Sequence, residues 1–208
     1  MEYFGSIDQG TTSTRFIVFD ENGKVISQHQ QEFKQHLPNE VSVEHDPNEI
    51  WESVLNCINE VGKNIPIKQL SSIGITNQRE TTIAWSKSTG KPLHNALVWQ
   101  DTRTQDICDE LKQINDLHDE FSRTGLPVAT YFSLSKILWL LRNVDEVQIA
   151  KSNNDLCFGT VDSWLLYKLT GNHVTDVTNA SRTLLMDLKT LNWIEKILDK
   201  LDIPKESL

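Results

Sequence analysis

The chain has 208 residues, long enough to bury a sizeable core, and its 38% hydrophobic and 24% charged content is that of an ordinary globular protein. A formal net charge of −9, with no clustered run of Lys or Arg, argues against a nucleic-acid partner or an anionic membrane surface. The three cysteines, Cys57, Cys108 and Cys157, form no CxxC pair, so neither zinc nor a disulfide framework is indicated and reduced, half-buried thiols are expected.

The chain opens on a strand-like run, Tyr3 to Asp8, without the basic and apolar regions of a signal peptide. No stretch approaches the ~18 apolar residues that span a bilayer. A cytoplasmic location is therefore expected. Residues 14–20 and 24–33 read as two further strands, and the Asp20-Glu21-Asn22-Gly23 stretch between them carries the Asn-Gly hairpin signal, so the opening is an antiparallel meander. Residues 47–62 predict a helix. Asp46 is placed to cap it, Pro47 suits its first position, Glu49 suits a capping box, and Gly62 suits its end. Ile50, Trp51, Val54, Leu55, Ile58 and Val61 recur at helical spacing and predict one buried face.

Strands are predicted at 73–76, 82–85 and 96–99, helices at 104–115, 133–143 and 160–170, a late strand at 182–187 and a last helix at 193–201. Three strands followed by mixed helices and strands suit an α/β protein whose sheet begins antiparallel and continues parallel. The mostly helical region near 101–150 reads as an insertion.

Four constellations carry candidate chemistry. Asp8-Gln9-Gly10-Thr11-Thr12-Ser13-Thr14-Arg15 fills the turn between the first two strands. A tight turn with Gly exposes successive N–H groups that attract anions, four hydroxyls add donors, and Arg15 adds a charged fork suited to phosphate. Asp8 could hold Mg²⁺, which favours a carboxylate together with substrate phosphates. A plain polar hairpin turn fits the same residues. Arg79 and Glu80, within Thr76 to Thr82, could grip a small polyol through charge-assisted hydrogen bonds, and a solvated turn is the bland alternative. Trp99 and Tyr131 stand at element ends, where an aromatic wall would shield a polyol's carbons, although most such rings are core. Thr160 fits an N-cap and Asp162 suits a helix N-terminus, while 175–183 reads as a polar loop without a chemical role. Trp51, Trp139, Trp164 and Trp193 are assigned to packing. The six histidines lack ligand spacing and read as surface residues.

At these motifs the chain resembles the glycerol kinases of the FGGY carbohydrate-kinase family. The resemblance rests on SIDQGTTSTR at 6–15, VEHDPNEIW at 43–51, IGITNQRETTIAW at 73–85, TGKPLHNALVWQDTRT at 89–104, TGLPVATYFS at 124–133, FGTVDSWL at 158–165 and VTDVTNASRT at 174–183. It implies an actin-like, ribonuclease-H-like lobe, an N-terminal kinase domain over 1–208 with the C-terminal lobe absent, and transfer of the ATP γ-phosphate to glycerol. It further implies that Thr11, Thr12, Ser13 and Arg15 bind ATP phosphates and that Asp8 stands near Mg²⁺. Arg79, Glu80 and Tyr131 would bond glycerol, with Trp99 on its carbons. The complete protein would be a homo-oligomer. The general-base aspartate and the adenine-binding lobe are expected beyond Leu208, so the isolated chain is expected to be inactive. A kinase for another polyol or sugar, such as xylulose or gluconate, and a non-catalytic glycerol-binding fragment are the alternatives. One departure from the family is Leu134, where a smaller residue is usual.

Overall fold

A computed structural model describes residues 2–208. The chain divides into two compact units, one comprising residues up to Gln35 together with His45–Gln78, the other His36–Glu44 together with Arg79–Leu208.

The first unit is built on strands β1 (Tyr3–Gln9), β2 (Ser13–Asp20) and β3 (Val25–Glu32), with β1 pairing antiparallel to β2 and β2 to β3. Gly23 takes the left-handed conformation (φ 77°) that the second hairpin requires. Two short strands, β4 (His36–Asn39) and β5 (Ser42–His45), precede helix α1 (Pro47–Gly62). Strand β6 (Leu70–Asn77) then joins β1 in parallel, giving the order β3-β2-β1-β6. This is the antiparallel-then-parallel sheet expected from the element order.

Alternation decides which face of that sheet is buried. Ile7, Phe16 and Val18 lie fully buried with Ile50, Val54 and Cys57 of α1. The Asp46 carboxylate accepts from the Asn48 amide at 2.8 Å, as a helix cap should. Leu55 departs from the predicted buried face. It is 37% exposed, because the buried stripe runs through Ser53 and Cys57.

The second unit holds two small sheets and most of the helices. Strand β7 (Ile83–Ser86) is followed by β8 (Ala96–Leu97), and β4, β5 and β8 form one sheet. Helices α2 (Gln105–Lys112), α3 (His118–Arg123), α4 (Ser133–Asn143) and α5 (Asp145–Ser152) follow. Strand β9 (Leu156–Gly159) pairs antiparallel with β7, and α6 (Val161–Thr170) ends at Gly171, left-handed at φ 76°. Helices α7 (Val177–Ala180) and α8 (Glu195–Lys200) complete the unit. Its core gathers Leu97, Leu111, Leu117, Leu134, Leu140, Phe158, Leu185 and Ile197. Leu134 is fully buried in that core, so the departure noted in the sequence is absorbed by packing.

Several expectations are corrected. The stretch 182–187 is a turn and loop, not a strand; its contact with the chain ahead is an isolated bridge between Met186 and Trp193. Thr160 occupies the N-cap position but makes no cap bond, since its hydroxyl donates to Asp162 instead. The thiols of Cys57, Cys108 and Cys157 are fully rather than half buried. His45 is fully buried and His173 packs edge-on against Trp85, so neither is a surface residue.

Candidate functional site

In the first unit, the turn between β1 and β2 is closed by the Gly10 amide donating to the Ser13 carbonyl at 2.9 Å. The turn is held from outside as well. The Phe33 amide donates to the Thr12 carbonyl at 3.3 Å, and the Gln35 amide group to the Thr11 carbonyl at 3.3 Å. The Gln78 side chain donates to the Gly10 carbonyl at 3.1 Å and to the Gln9 amide oxygen at 3.2 Å, while lying 3.3 Å from Nδ1 of the buried His45. Sequence reasoning missed Gln9, His45 and Gln78, whose roles appear only once β1 and β6 are paired.

Strand register sorts the turn's side chains. Thr14 points to the buried face, where its hydroxyl lies 2.6 Å from that of Ser53, so it is withdrawn from the row of hydroxyl donors. Asp8 stands opposite Arg15 and beside Thr76, and Arg15 stands opposite Gln30. Arg15 donates from Nε and Nη2 to the Gln30 amide oxygen at 3.3 and 3.0 Å, and Gln30 in turn donates to the Ser13 hydroxyl at 2.9 Å. Thr12 is exposed, and Asp8, Thr11, Ser13 and Arg15 are half-buried. A guanidinium, hydroxyls and a carboxylate therefore surround one tight turn.

In the second unit, Glu80 is 2% exposed and takes φ 65°, a conformation that costs a non-glycine residue of order 1–3 kcal/mol. Its carbonyl accepts from the Ser133 hydroxyl at 3.2 Å and the Thr82 hydroxyl at 3.1 Å. Its carboxylate accepts from Nε of Arg182 at 2.5 Å. The Arg182 guanidinium lies 5.0 Å from the Phe132 ring and 5.8 Å from the Tyr131 ring. Tyr131 leans edge-on against Trp99 at 5.5 Å, and the Trp99 amide donates to the Thr81 hydroxyl at 3.2 Å. Tyr131 is 38% exposed. The fold thus gathers Glu80 and Tyr131 around Arg182, a residue that carried no local signal, with Trp99 against Tyr131. Arg79, beside Glu80 in the chain, is exposed.

Behind this cluster, Arg103 bridges two carboxylates, donating to Asp101 at 2.9 Å and to Glu44 at 2.7 Å. Burial pushes the Glu44 carboxyl up, but bonds from Asn95 and Arg103 outweigh it and leave the group below the usual range. Arg103 also stacks 4.7 Å over Trp139. Joined by these hydrogen bonds, Arg103 and the two buried carboxylates fix the backbone that leads from Trp99 into α2.

The N-terminal domain model of the FGGY family of carbohydrate kinases matches residues 3–208. The chain belongs to that family. It is 51% identical over 220 residues to a glycerol kinase from Arabidopsis thaliana, covering 99% of this chain and 42% of that protein. A glycerol kinase from Plasmodium falciparum, solved with ADP, superposes with a TM-score of 0.89 at 41% identity, covering 98% of this chain and 41% of the other. A gluconate kinase from Lactobacillus acidophilus superposes with a TM-score of 0.87 at 26% identity over 100% of this chain and 41% of the other. The chain thus spans well under half the length of these relatives. Its fold is the actin-like, ribonuclease-H-like one that the resemblance implies. Among the described residues no helix is long and apolar enough to cross a membrane.

Proposed function

We propose that this chain supplies the phosphate grip and the polyol grip of an ATP-dependent glycerol kinase, which moves the terminal phosphoryl group of ATP to a terminal hydroxyl of glycerol. The observation that carries the reading is the Glu80–Arg182 pair set beside the exposed face of Tyr131 and its neighbour Trp99. Arg182 occupies one carboxylate oxygen of Glu80 and holds the carboxylate in place, leaving its remaining lone pairs to accept from two vicinal hydroxyls. Arg79 donates to a third oxygen. Trp99 and Tyr131 cover the carbons and exclude water.

Phosphoryl transfer is catalysed by positioning and charge neutralisation. The Gly10–Ser13 turn offers backbone and hydroxyl donors to phosphate oxygens, and Arg15 offers a permanent positive charge. Among the described residues no cluster of three acidic, histidine or cysteine side chains could hold a metal alone. The lone Asp8 fits Mg²⁺ only as that ion binds in nucleotide sites, through one carboxylate and the substrate's phosphates. When bound, Mg²⁺ would neutralise charge on those phosphates. No residue of this chain is assigned the general base. ATP as co-substrate and reduced thiols fit a cytoplasmic enzyme, and a homo-oligomer follows from the resemblance.

Steady-state assays of the complete protein test the reading. Glycerol should be preferred over xylulose and gluconate, and Glu80→Gln should lower kcat/KM for glycerol by about ten- to a hundredfold, the worth of a charge-assisted hydrogen bond, with the KM for ATP little changed. A preference for another sugar overturns the assignment of glycerol. Turnover by the 208-residue chain alone, at an ordinary enzyme rate, overturns the expectation that it lacks the base.

A further inference from the structure

Lys136 lies in the first turns of α4 and is fully buried. A lysine is almost never fully buried unless it is paired, and an ammonium near a helix N-terminus faces the positive end of the helix dipole. Its charge therefore gains nothing from the α4 dipole. Its hydrogen bonds run instead to three successive carbonyls ahead of the helix: those of Thr130, of Tyr131 at 3.1 Å and of Phe132 at 3.4 Å. An ammonium has three donors and no acceptor, so three carbonyls converging on one nitrogen match it completely. The segment they belong to is an irregular turn with no strand or helix ladder to hold it. The side chain hung on the middle residue is the exposed ring of Tyr131.

We propose that Lys136 is a positioning residue for the polyol site, its ammonium clamping the Thr130–Phe132 backbone so that the Tyr131 ring is held against Trp99 and beside Arg182, the partner of Glu80. The proposal rests on the reading of Tyr131 as a polyol-facing residue. Glutamine or methionine could fill the volume, but neither could satisfy three carbonyls at once. Arginine keeps the charge, but its planar fork cannot converge its donors on three acceptors from one atom.

The clamp has a built-in pH limit. Burial brings the Lys136 ammonium down to about 8, against the opposing pull of Asp101, Cys108 and Glu80. Two of those groups already have partners, Asp101 with Arg103 and Glu80 with Arg182, and the Cys108 thiol is itself pushed up by burial. Above that pH the amine turns a lone pair toward carbonyl oxygens and loses one donor.

The test uses the complete protein as wild type, Lys136→Met, Lys136→Arg and Tyr131→Ala. Lys136→Met should raise the KM for glycerol by about tenfold while leaving the KM for ATP within about twofold, the split expected when one substrate's site is loosened. In the wild type the KM for glycerol should climb as pH rises through about 8, and Lys136→Met should abolish that climb. Backbone amide exchange over 129–134 should quicken in Lys136→Met and not over α1. Equal exchange in the two proteins, a flat wild-type profile, or parallel changes in both KM values would overturn the clamp. If Lys136→Met does not fold, Lys136→Arg and the wild-type profile carry the same decision. If Tyr131→Ala leaves the KM for glycerol unchanged, the polyol reading fails, and the exchange measurement still decides whether Lys136 holds the turn.

Discussion

Asp162 is a carboxyl that the fold keeps for structural ends. It lies 5% exposed at the start of α6 and accepts from the hydroxyls of Thr160 and Thr175, the second at 2.7 Å. Burial raises its pKa, and the two threonine bonds only partly offset that. A folded pKa above the unfolded one means that the native state favours the protonated form. The resulting stability is fully present below the ordinary aspartate value and is lost as pH climbs through the raised value. Asp162→Asn cannot ionise, so urea denaturation should show the wild type losing more stability than the variant between about pH 4 and pH 7. Parallel curves would remove burial as the cause. Single residues of this sort were the least legible part of the sequence. Glu80 could be singled out together with its neighbour Arg79, but its partner Arg182 lies 102 residues away in a stretch that carried no chemical signal. His45 was equally hidden, because nothing in local spacing says that Gln78 will pair with it.

Elements with strong local signals were readable. Helix α1 runs over the predicted span because Asp46, Pro47 and the apolar stripe all point the same way, and α4 likewise matches 133–143. Several of the short elements were not. Strands β4, β5 and β9, with helices α3, α5 and α7, are too brief to show periodicity, and they form because the core of the second unit accepts them. The misread segment 182–187 is instructive. Its run Thr-Leu-Leu-Met looks like a strand, yet Leu184 is left-handed at φ 65° and the stretch is buried as a loop. Its backbone is satisfied piecemeal, with Thr183 accepting from the Leu134 amide at 2.9 Å and Leu185 from the Ile194 amide at 2.8 Å. Between elements, Gly159 marks the tightest approach. A Cβ there would lie 2.5 Å from Cβ of Ser163 and 2.9 Å from the Trp85 ring. Gly159→Ala should therefore force β9 away from α6 and Trp85 and destabilise the second unit by about 1–3 kcal/mol, read as a lower urea midpoint. An unchanged midpoint would show that the junction has slack.

At the scale of the molecule, the meander and the turn from antiparallel to parallel pairing were legible in the order of the elements, while the division into two units was not. Short crossovers decide it: β4 and most of β5 belong with the second unit although the sequence on either side belongs to the first. The same division gives the three buried thiols a use. Cys57 lies in the first unit, and Cys108 and Cys157 lie in the second, each with no exposed surface. Burial raises all three pKa values, Cys157 to about 11, so the reactive thiolate is scarce as well as shielded. The native protein should resist a thiol reagent such as dithionitrobenzoate, and rapid modification of any of the three would contradict their burial. What labelling does occur must wait for local opening. The chain therefore carries its own stopwatch: mass spectrometry of partly modified protein would time the unlatching of each unit from a different cysteine, without a single engineered probe.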